Sequence, residues 1–455
     1  MTGWVDTSLW WHAYPLGLLD CPAQAQDLRT EHRLRRLTDW LDHVVELGLN
    51  GIALGPIFAS ATHGYDTVDY FEVDSRLGDR SDLDHVIAEC HARGVRIMLD
   101  GVFNHVGDTH PDFLAAVEHG AGAPTEHLFR FHTPDGPAQG GRAPGQRPEY
   151  DCFEGHSQLV ALNHADPAVV DLIVEVMTHW LARGVDGWRL DAAYAVPPEF
   201  WATVIGRVRE QFPDCYLVGE VIHGDYVDIV TRTGMDAVTQ YELWKSIWSS
   251  LNDQNFHELA WNLTRHNDFL DTFVPWTFVG NHDVTRIVSR LTRPESVSLA
   301  VVLLFLLGGT PAVYYGDELG LAGLKEERVG GDDAIRPALE PVPAEQIEGI
   351  TALHRELIAL RRRHPWLHRA HSHTEHLTNT VICLRMGDPD DPERWLQVGL
   401  NNDSAPTEFG TQSAELSPVP VIVAGRGAHQ DGEAIRLDSF GWCVLAPQGS
   451  RDEGS

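Results

Sequence analysis

The sequence predicts an α/β fold: a closed (β/α)8 TIM barrel with a small subdomain inserted after the third strand and an antiparallel β-sandwich at the C-terminus. Three observations carry this prediction. Short, continuously apolar runs alternate about eight times with longer segments of helical pattern, as buried parallel strands covered by helices require. A Gly/Pro-rich stretch, "TPDGPAQGGRAPGQRPEYD", breaks the rhythm after the third run and is too long for an ordinary strand-to-helix connection. From about Glu375 the pattern changes to short alternating runs with turn residues between them.

In order along the chain, "SLWWHAYP" reads as the first strand and "RLRRLTDWLDHVVELG" as the helix after it. "GIALGPI", a second helix "SDLDHVIAECHARG" and the strand "VRIMLDGVF" follow. The interrupting segment is expected to form an inserted subdomain over residues 106–158. Beyond it, "DGWRLD", "CYLVGE", "MDAVTQY", "TFVPWTFVGNHD" and "TPAVYYGDE" supply strands four to eight, so the barrel is expected over 1–105 and 159–374. "TVICLRM", "RWLQVGL", "PVPVIV" and "WCVLAP" are the strands expected of a sandwich over 375–455. No internal repeat is visible.

Composition narrows the function classes. The formal charge of −32 excludes a nucleic-acid or anionic-membrane partner, because such surfaces need a basic footprint. The longest uncharged apolar run, Val297 to Leu307, falls short of the 18 or more residues of a membrane span. "MTGWVDTSLWWHAYP" has neither the basic nor the apolar region of a secretory signal, so a cytoplasmic location is expected. The six cysteines are scattered without C-x-x-C or tight Cys/His spacing and are expected to be free thiols; no metal site is expected.

The stretch "GVDGWRLDAA" places Arg189 and Asp191 in an apolar, strand-like segment. Buried ions need partners, so this is either a structural ion pair or the edge of an active site. In a barrel, chemistry gathers at the C-terminal ends of the strands. Those ends carry Asp100, Asn104 and His105, then Arg189 and Asp191, Glu220, and His282 with Asp283. Carboxylates converging without a Cys/His metal cluster suit a glycosidic bond: one attacks the anomeric carbon while a protonated partner donates to the leaving oxygen. Trp10, Trp11, Tyr65, Tyr70, Trp188 and Trp276 are candidates for stacking on sugar faces, although each tryptophan is read first as a core residue.

At these residues the sequence resembles the α-amylase superfamily of glycoside hydrolases, glycoside hydrolase family 13, over nearly the whole chain. The family's four signature regions stand as "DGVFNHVG", "GWRLDAA", "GEVI" and "FVGNHD", with "GTPAVYYGDELGL" at the eighth strand. The resemblance implies that Asp191 is the nucleophile, Glu220 the general acid/base and Asp283 the third carboxylate. It implies that Arg189 holds the nucleophile ionised by pairing, and that His105, His282 and Tyr65 bind the sugar at the cleavage subsite. Asp100 and Asn104 match positions that are more often architectural.

Within the superfamily, "GYDTVDYFEVDSRLGD", "YDCFEGHSQLVALNHADP" with Leu162 and Asn163, and "DDAIR" resemble the cyclomaltodextrinase, neopullulanase and maltogenic-amylase group. By that resemblance Asp332 and Arg336 would bind the next sugar on the non-reducing side; a surface salt bridge is the other reading. The sequence begins almost at the first strand, without that group's extra N-terminal sandwich, which leaves the oligomeric state open and a homodimer a candidate. "AAYAV" lacks the Lys-His pair of many starch-degrading α-amylases, and "GEVIH" lacks the Trp common after the acid/base of cyclomaltodextrinases. Both departures fall where the leaving sugar sits. They point to a small branched or cyclic oligosaccharide with α-1,6 as well as α-1,4 bonds, the combination found in cyclic maltosyl-maltose hydrolases. A transglycosylase using the same residues and an inactive amylase-like binding protein are the alternatives. The expected partner is an oligosaccharide and no cofactor is expected; many relatives bind calcium at the position of Asn104, but no dense ligand loop is visible here.

Overall fold

The structure, a computed structural model, describes residues 3–24, 30–133, 136–137, 145, 148–328, 330–341, 349–410 and 420–447. Eight parallel strands form the centre: Trp10–Ala13 (β1), Gly51–Leu54 (β2), Arg96–Gly101 (β3), Gly187–Leu190 (β4), Tyr216–Gly219 (β5), Ala237–Val238 (β6), Trp276–Phe278 (β7) and Thr310–Tyr314 (β8). Their order is β6-β5-β4-β3-β2-β1-β8-β7. A parallel bridge between Thr239 and Trp276, with the Gln240 amide donating to the Trp276 carbonyl at 2.9 Å, joins the two ends into a ring. The predicted barrel is therefore observed.

Helices Thr38–Leu47 (α1), Arg80–Ala92 (α2), Pro167–Ala182 (α3), Pro198–Gln211 (α4), Tyr226–Thr233 (α5), Tyr241–Asp253 (α6), Phe256–Leu270 (α7), Val297–Leu306 (α8) and Ile350–Arg363 (α9) accompany the strands. Their ends follow local chemistry. Asp79 caps α2 by accepting from the amides of Ser81 and Asp82, while Asp82 returns a bond to the Asp79 amide. Asp166 caps α3 ahead of Pro167, and α1 stops at Gly48, whose φ of 90° is left-handed. The apolar run flagged in the sequence is α8, a ten-residue helix buried on nearly every side. Among the described residues, no helix is long and apolar enough to cross a membrane.

Inside the ring, Trp10 packs on Tyr216 and Trp276, with ring centroids 6.2 and 5.4 Å away. This packing explains Gly51 on the neighbouring strand: a Cβ there would lie 2.6 Å from the Trp10 ring. Trp10, Trp11 and Trp188 are fully buried, and Tyr70 and Trp276 nearly so. These five belong to the core, which corrects their candidacy as sugar platforms and leaves Tyr65 as the member of that set at the site.

After β3 the chain leaves the barrel. His105–Gly107 pairs antiparallel with Leu159–Ala161, and between them lie the helix Pro111–His119 and a small sheet of Phe131–Thr133, Gly136–Pro137 and Glu149–Tyr150. Most of the Gly/Pro-rich run, 134–135, 138–144 and 146–147, lies outside the described residues.

The C-terminal strands are His371–Leu377 (β9), Val381–Asp388 (β10), Asp391–Asn401 (β11), Thr407–Gly410 (β12), Val421–Asp431 (β13) and Ala434–Ala446 (β14), all antiparallel. The first of them begins at His371, ahead of the pattern change at Glu375. The two layers come from one sheet. β14 pairs with β12 through Ala434–Leu437 and with β11 through Trp442–Leu445, and Phe440 between them has a left-handed φ of 51°. Phe409 of one half packs over Gly399 of the other, closing a small core with Cys383, Ile435, Leu437 and Cys443. Ile382, Leu384, Val398 and Val444, on the opposite face, join the core of the barrel and its helices. All six cysteines are free thiols.

Candidate active site

Backbone register brings the charged residues together. β4 pairs with β5 so that Leu190 faces Gly219, and the ladder continues one step further: the Asp191 amide donates to the Gly101 carbonyl at 3.0 Å and the Glu220 amide to the Leu190 carbonyl at 2.9 Å. Asp191 and Glu220 are thus the first residues past the ends of two adjacent strands. Ala192 follows in a left-handed conformation, φ 45° and ψ 38°, unusual for a residue with a side chain. That turn aims its amide at Glu220, Nα to Oε2 at 3.0 Å.

Arg189 sits below both carboxylates. Its Nη1 lies 2.7 Å from each oxygen of Asp100, Nη2 lies 2.8 Å from Glu220 Oε1, and Asp191 Oδ1 is reached at 3.3 Å. Burial and the neighbouring Glu220 push the Asp191 carboxyl well above the usual carboxylate range, against the pull of Arg189. Arg189 pulls the Asp191 carboxyl toward its ionised form, the direction expected of the pair, but shares that pull with two other carboxylates. Its shortest contacts go to Asp100 and Glu220, and three buried carboxylates share one cation. Asp100 is likewise raised by burial.

The second half of the site comes from the loops after β7 and β8. Asp283 pairs with His282 Nε2 at 3.0 Å and with Arg336 Nη2 at 3.0 Å, and Arg336 also holds the His282 carbonyl at 2.9 Å and Asp332 at 3.0 Å. Burial raises the Asp283 carboxyl, but His282, Arg336 and Arg189 outweigh it and hold the group well below its ordinary range. The Asp332–Arg336 pair is therefore more than a surface bridge, since its guanidinium also reaches Asp283. Tyr65 donates to Asp100 at 3.0 Å and bonds His282 Nε2 in a ring parallel to the imidazole within 3°. His105 bonds the Tyr65 carbonyl at 2.9 Å and stacks on Phe153 of the inserted segment, 4.9 Å between centroids. Burial lowers His105 to about 4, so it is neutral at neutral pH.

The structure thus gathers Tyr65, His105, Arg189, Asp191, Glu220, His282, Asp283, Asp332 and Arg336 around one rim. Sequence reading missed others. Tyr241, at the start of α6, donates to Glu220 Oε1 at 3.2 Å and accepts from Asn281 at 2.9 Å, while Asn281 also receives the Asp283 amide at 2.8 Å. Tyr14 supports Arg336, whose guanidinium carbon lies 4.6 Å above its ring. Tyr194 donates to Glu154 of the inserted segment at 2.9 Å. Each of these stands one to five residues beyond a strand end, the signal that could have found them. In "FVGNHD", Gly280 is required by packing: a Cβ there would lie 2.1 Å from the buried Asp317 carboxylate.

The side-chain amide of Asn104 lies 3.1 Å from His105 Nδ1. Among the described residues, the grouping with metal-ligand geometry is His32, Asp79 and Asp82, where Arg35 already occupies Asp82 and Asp79 caps α2.

The chain is similar to known proteins in sequence and in fold. The family profile for the alpha amylase catalytic domain matches residues 29–348. A cyclomaltodextrinase of Geobacillus thermopakistaniensis is 33% identical over 344 residues, covering 74% of this chain and 56% of the relative. An intracellular maltogenic amylase of Bacillus subtilis is 30% identical over 338 residues, 72% of this chain and 55% of the relative. The chain thus spans just over half the length of the curated relatives it matches. The cyclic α-maltosyl-(1→6)-maltose hydrolase of Arthrobacter globiformis, solved with that sugar, superposes with a TM-score of 0.81 at 26% identity, covering 98% of this chain and 99% of its own.

Proposed function

The chain belongs to the alpha-amylase catalytic-domain family, and from that premise we propose that it is a retaining hydrolase of small malto-oligosaccharides, cyclic or branched, cleaving α-1,4 bonds by double displacement. One observation carries the proposal: Asp191 and Glu220 follow paired positions on adjacent strands and share the guanidinium of Arg189. Neighbouring strands lie about 4.8 Å apart, so carboxyl groups from one register step fall near the roughly 5 to 5.5 Å that retaining enzymes use.

In the proposed reaction Asp191 attacks the anomeric carbon while Glu220 protonates the departing oxygen. The glycosyl ester on Asp191 is then resolved by water, deprotonated by Glu220. The ionised Asp283, backed by His282 and Arg336, opposes the positive charge that builds on the sugar ring in both steps. Nucleophile, proton donor and charge stabilisation are all side chains, so the proposal draws on no cofactor.

The preference for a small ring or branch rests on likeness. The two curated relatives carry cyclomaltodextrinase and maltogenic-amylase names, and one neighbour that matches along its full length is a hydrolase of a cyclic sugar with 1→6 links. A cytoplasmic location extends the name of the Bacillus subtilis relative to this chain. A homodimer is a candidate assembly, tested by sedimentation.

A product time course tests the function. Linear maltooligosaccharides, cyclodextrins, pullulan fragments and cyclic maltosyl-maltose are offered to the enzyme, with NMR of the newly formed anomer. Opening of a cyclic sugar into maltose units with the α-anomer formed first is expected. A β-anomer overturns the retaining assignment, and products longer than the substrate make the enzyme a transglycosylase.

A further inference from the structure

A cleft of about 550 Å3 lies between α6 and α7, beside the residues of the rim. It borders the site through two lining residues: Tyr241, which bonds Glu220, and Ile222, two residues past Glu220. At its outer end stands Trp261 of α7, 72% exposed, the most exposed large apolar side chain among the described residues. An indole held open to water on a helix otherwise packed by Phe256, Leu259, Leu263 and Phe269 contributes nothing to the fold.

We infer that this cleft holds the leaving-group side of a longer α-glucan chain, with Trp261 as the platform for a glucosyl ring beyond the bond being cut. The inference rests on the proposed hydrolytic function and adds where the substrate runs. Continuity argues for it, because a chain leaving the bond protonated by Glu220 passes Tyr241 and Ile222 first. Charge argues for a neutral ligand. Lys245 pairs with Glu258 and Arg265 with Glu242, so the wall carries two cations and two carboxylates that cancel. Paired ions still offer both donors and acceptors, which is what hydroxyl groups recognise, and they leave no net field for an anionic or cationic partner. Glu242 and Glu258 supply acceptors and Lys245 and Arg265 donors along the same wall. The combination of an aromatic face with convergent polar groups, at a volume within the roughly 300–1,000 Å3 of ligand clefts, fits a sugar.

The test is Trp261→Ala and Trp261→Phe in the full chain, read as kcat/KM for maltoheptaose divided by kcat/KM for maltotriose. The ratio is expected to fall about tenfold in Trp261→Ala, as loss of one stacked ring would give, and to recover in part in Trp261→Phe. Maltoheptaose binding to Asp191→Asn, with and without Trp261→Ala, is measured by calorimetry in parallel and is expected to weaken by a similar factor. An unchanged ratio with unchanged binding overturns the inference, as does a shift in sedimentation without a change in the ratio, which would make the patch a subunit contact. Failure of the parent enzyme to cut any α-glucan would refute the proposed function alone, because the binding measurement still decides whether glucan sits on Trp261.

Discussion

Arg189 grips Asp100 through both carboxylate oxygens, with Nη1 2.7 Å from each, and reaches over to Glu220 with Nη2 at 2.8 Å. Asp100 thereby anchors the cation while Glu220 and Asp191, the proposed catalytic pair, share it. Lysine keeps the charge but cannot contact three carboxylates from a planar fork. Arg189→Lys is expected to lower kcat by about a hundredfold or more, because Asp191 and Glu220, in their proposed roles, lose their common support. Arg189→Leu leaves three buried carboxylates without their cation, and urea unfolding should show a loss of about 3–5 kcal/mol. A lysine variant with nearly parental kcat would sink this account of Arg189.

Asp191→Asn should abolish turnover, by a factor on the order of 10^4, and should also raise stability in a pH-dependent way. The Asp191 carboxyl lies above its ordinary range in the folded protein because of burial and Glu220. A raised carboxyl stabilises the fold fully below its unfolded value, about 3.9, and that contribution is lost as pH rises through the folded value. Removing the charge is therefore neutral near pH 4 and stabilising above it. Thermal melts of the parent and the variant should coincide at pH 4 and separate progressively toward pH 8, the variant melting higher. Equal separation at all pH values would contradict the assigned cause.

How far the sequence reveals the site depends on how close each residue lies to a strand end. Asp191 and Glu220 directly follow β4 and β5, so recognising the strands located them. Tyr241 acts from the first residue of α6 and Asn281 from the loop after β7, and nothing in their spacing says that the tyrosine hydroxyl bonds Glu220. Arg336 was legible as a pair with Asp332 but not as a partner of Asp283, because that contact depends on where the loop after β8 folds back. The rim aromatics mislead for a related reason: Trp10 and Trp276 alternate inward within the ring, and a tryptophan looks the same in sequence whether its face meets a sugar or another ring.

Acid should unfold the protein through its histidines before its carboxylates. Burial lowers His105, His164 and His266 to about 4 and His368 to about 3. Each stays neutral in the fold but binds a proton near 6.5 once unfolded. The stability they protect is full above about pH 6.5 and is lost as pH falls toward 4, at up to roughly 1.4 kcal/mol per pH unit for each group. Urea midpoints measured from pH 7.5 down to 5 should drop steeply, and a His266→Gln variant should reduce that slope by about one proton. A flat profile over this range would show that these imidazoles are already charged in the fold.

The barrel interior offers the sharpest test of packing. Gly51 lies against Trp10, and an added Cβ would come within 2.6 Å of the indole carbon Cε3. Trp10 cannot give way easily, being fully buried between Tyr216 and Trp276. Gly51→Ala is therefore expected to destabilise the protein by about 1–3 kcal/mol, the cost of overpacking. Trp10→Phe alone loses indole contacts and is also destabilising. The two residues touch, so their effects should not add: in the double variant the smaller ring makes room for the methyl, and unfolding should show a coupling of about 1 kcal/mol in the favourable direction. Additive losses would mean that the strand carrying Gly51 relaxes away from the ring instead, and the explanation of this glycine by Trp10 would fail.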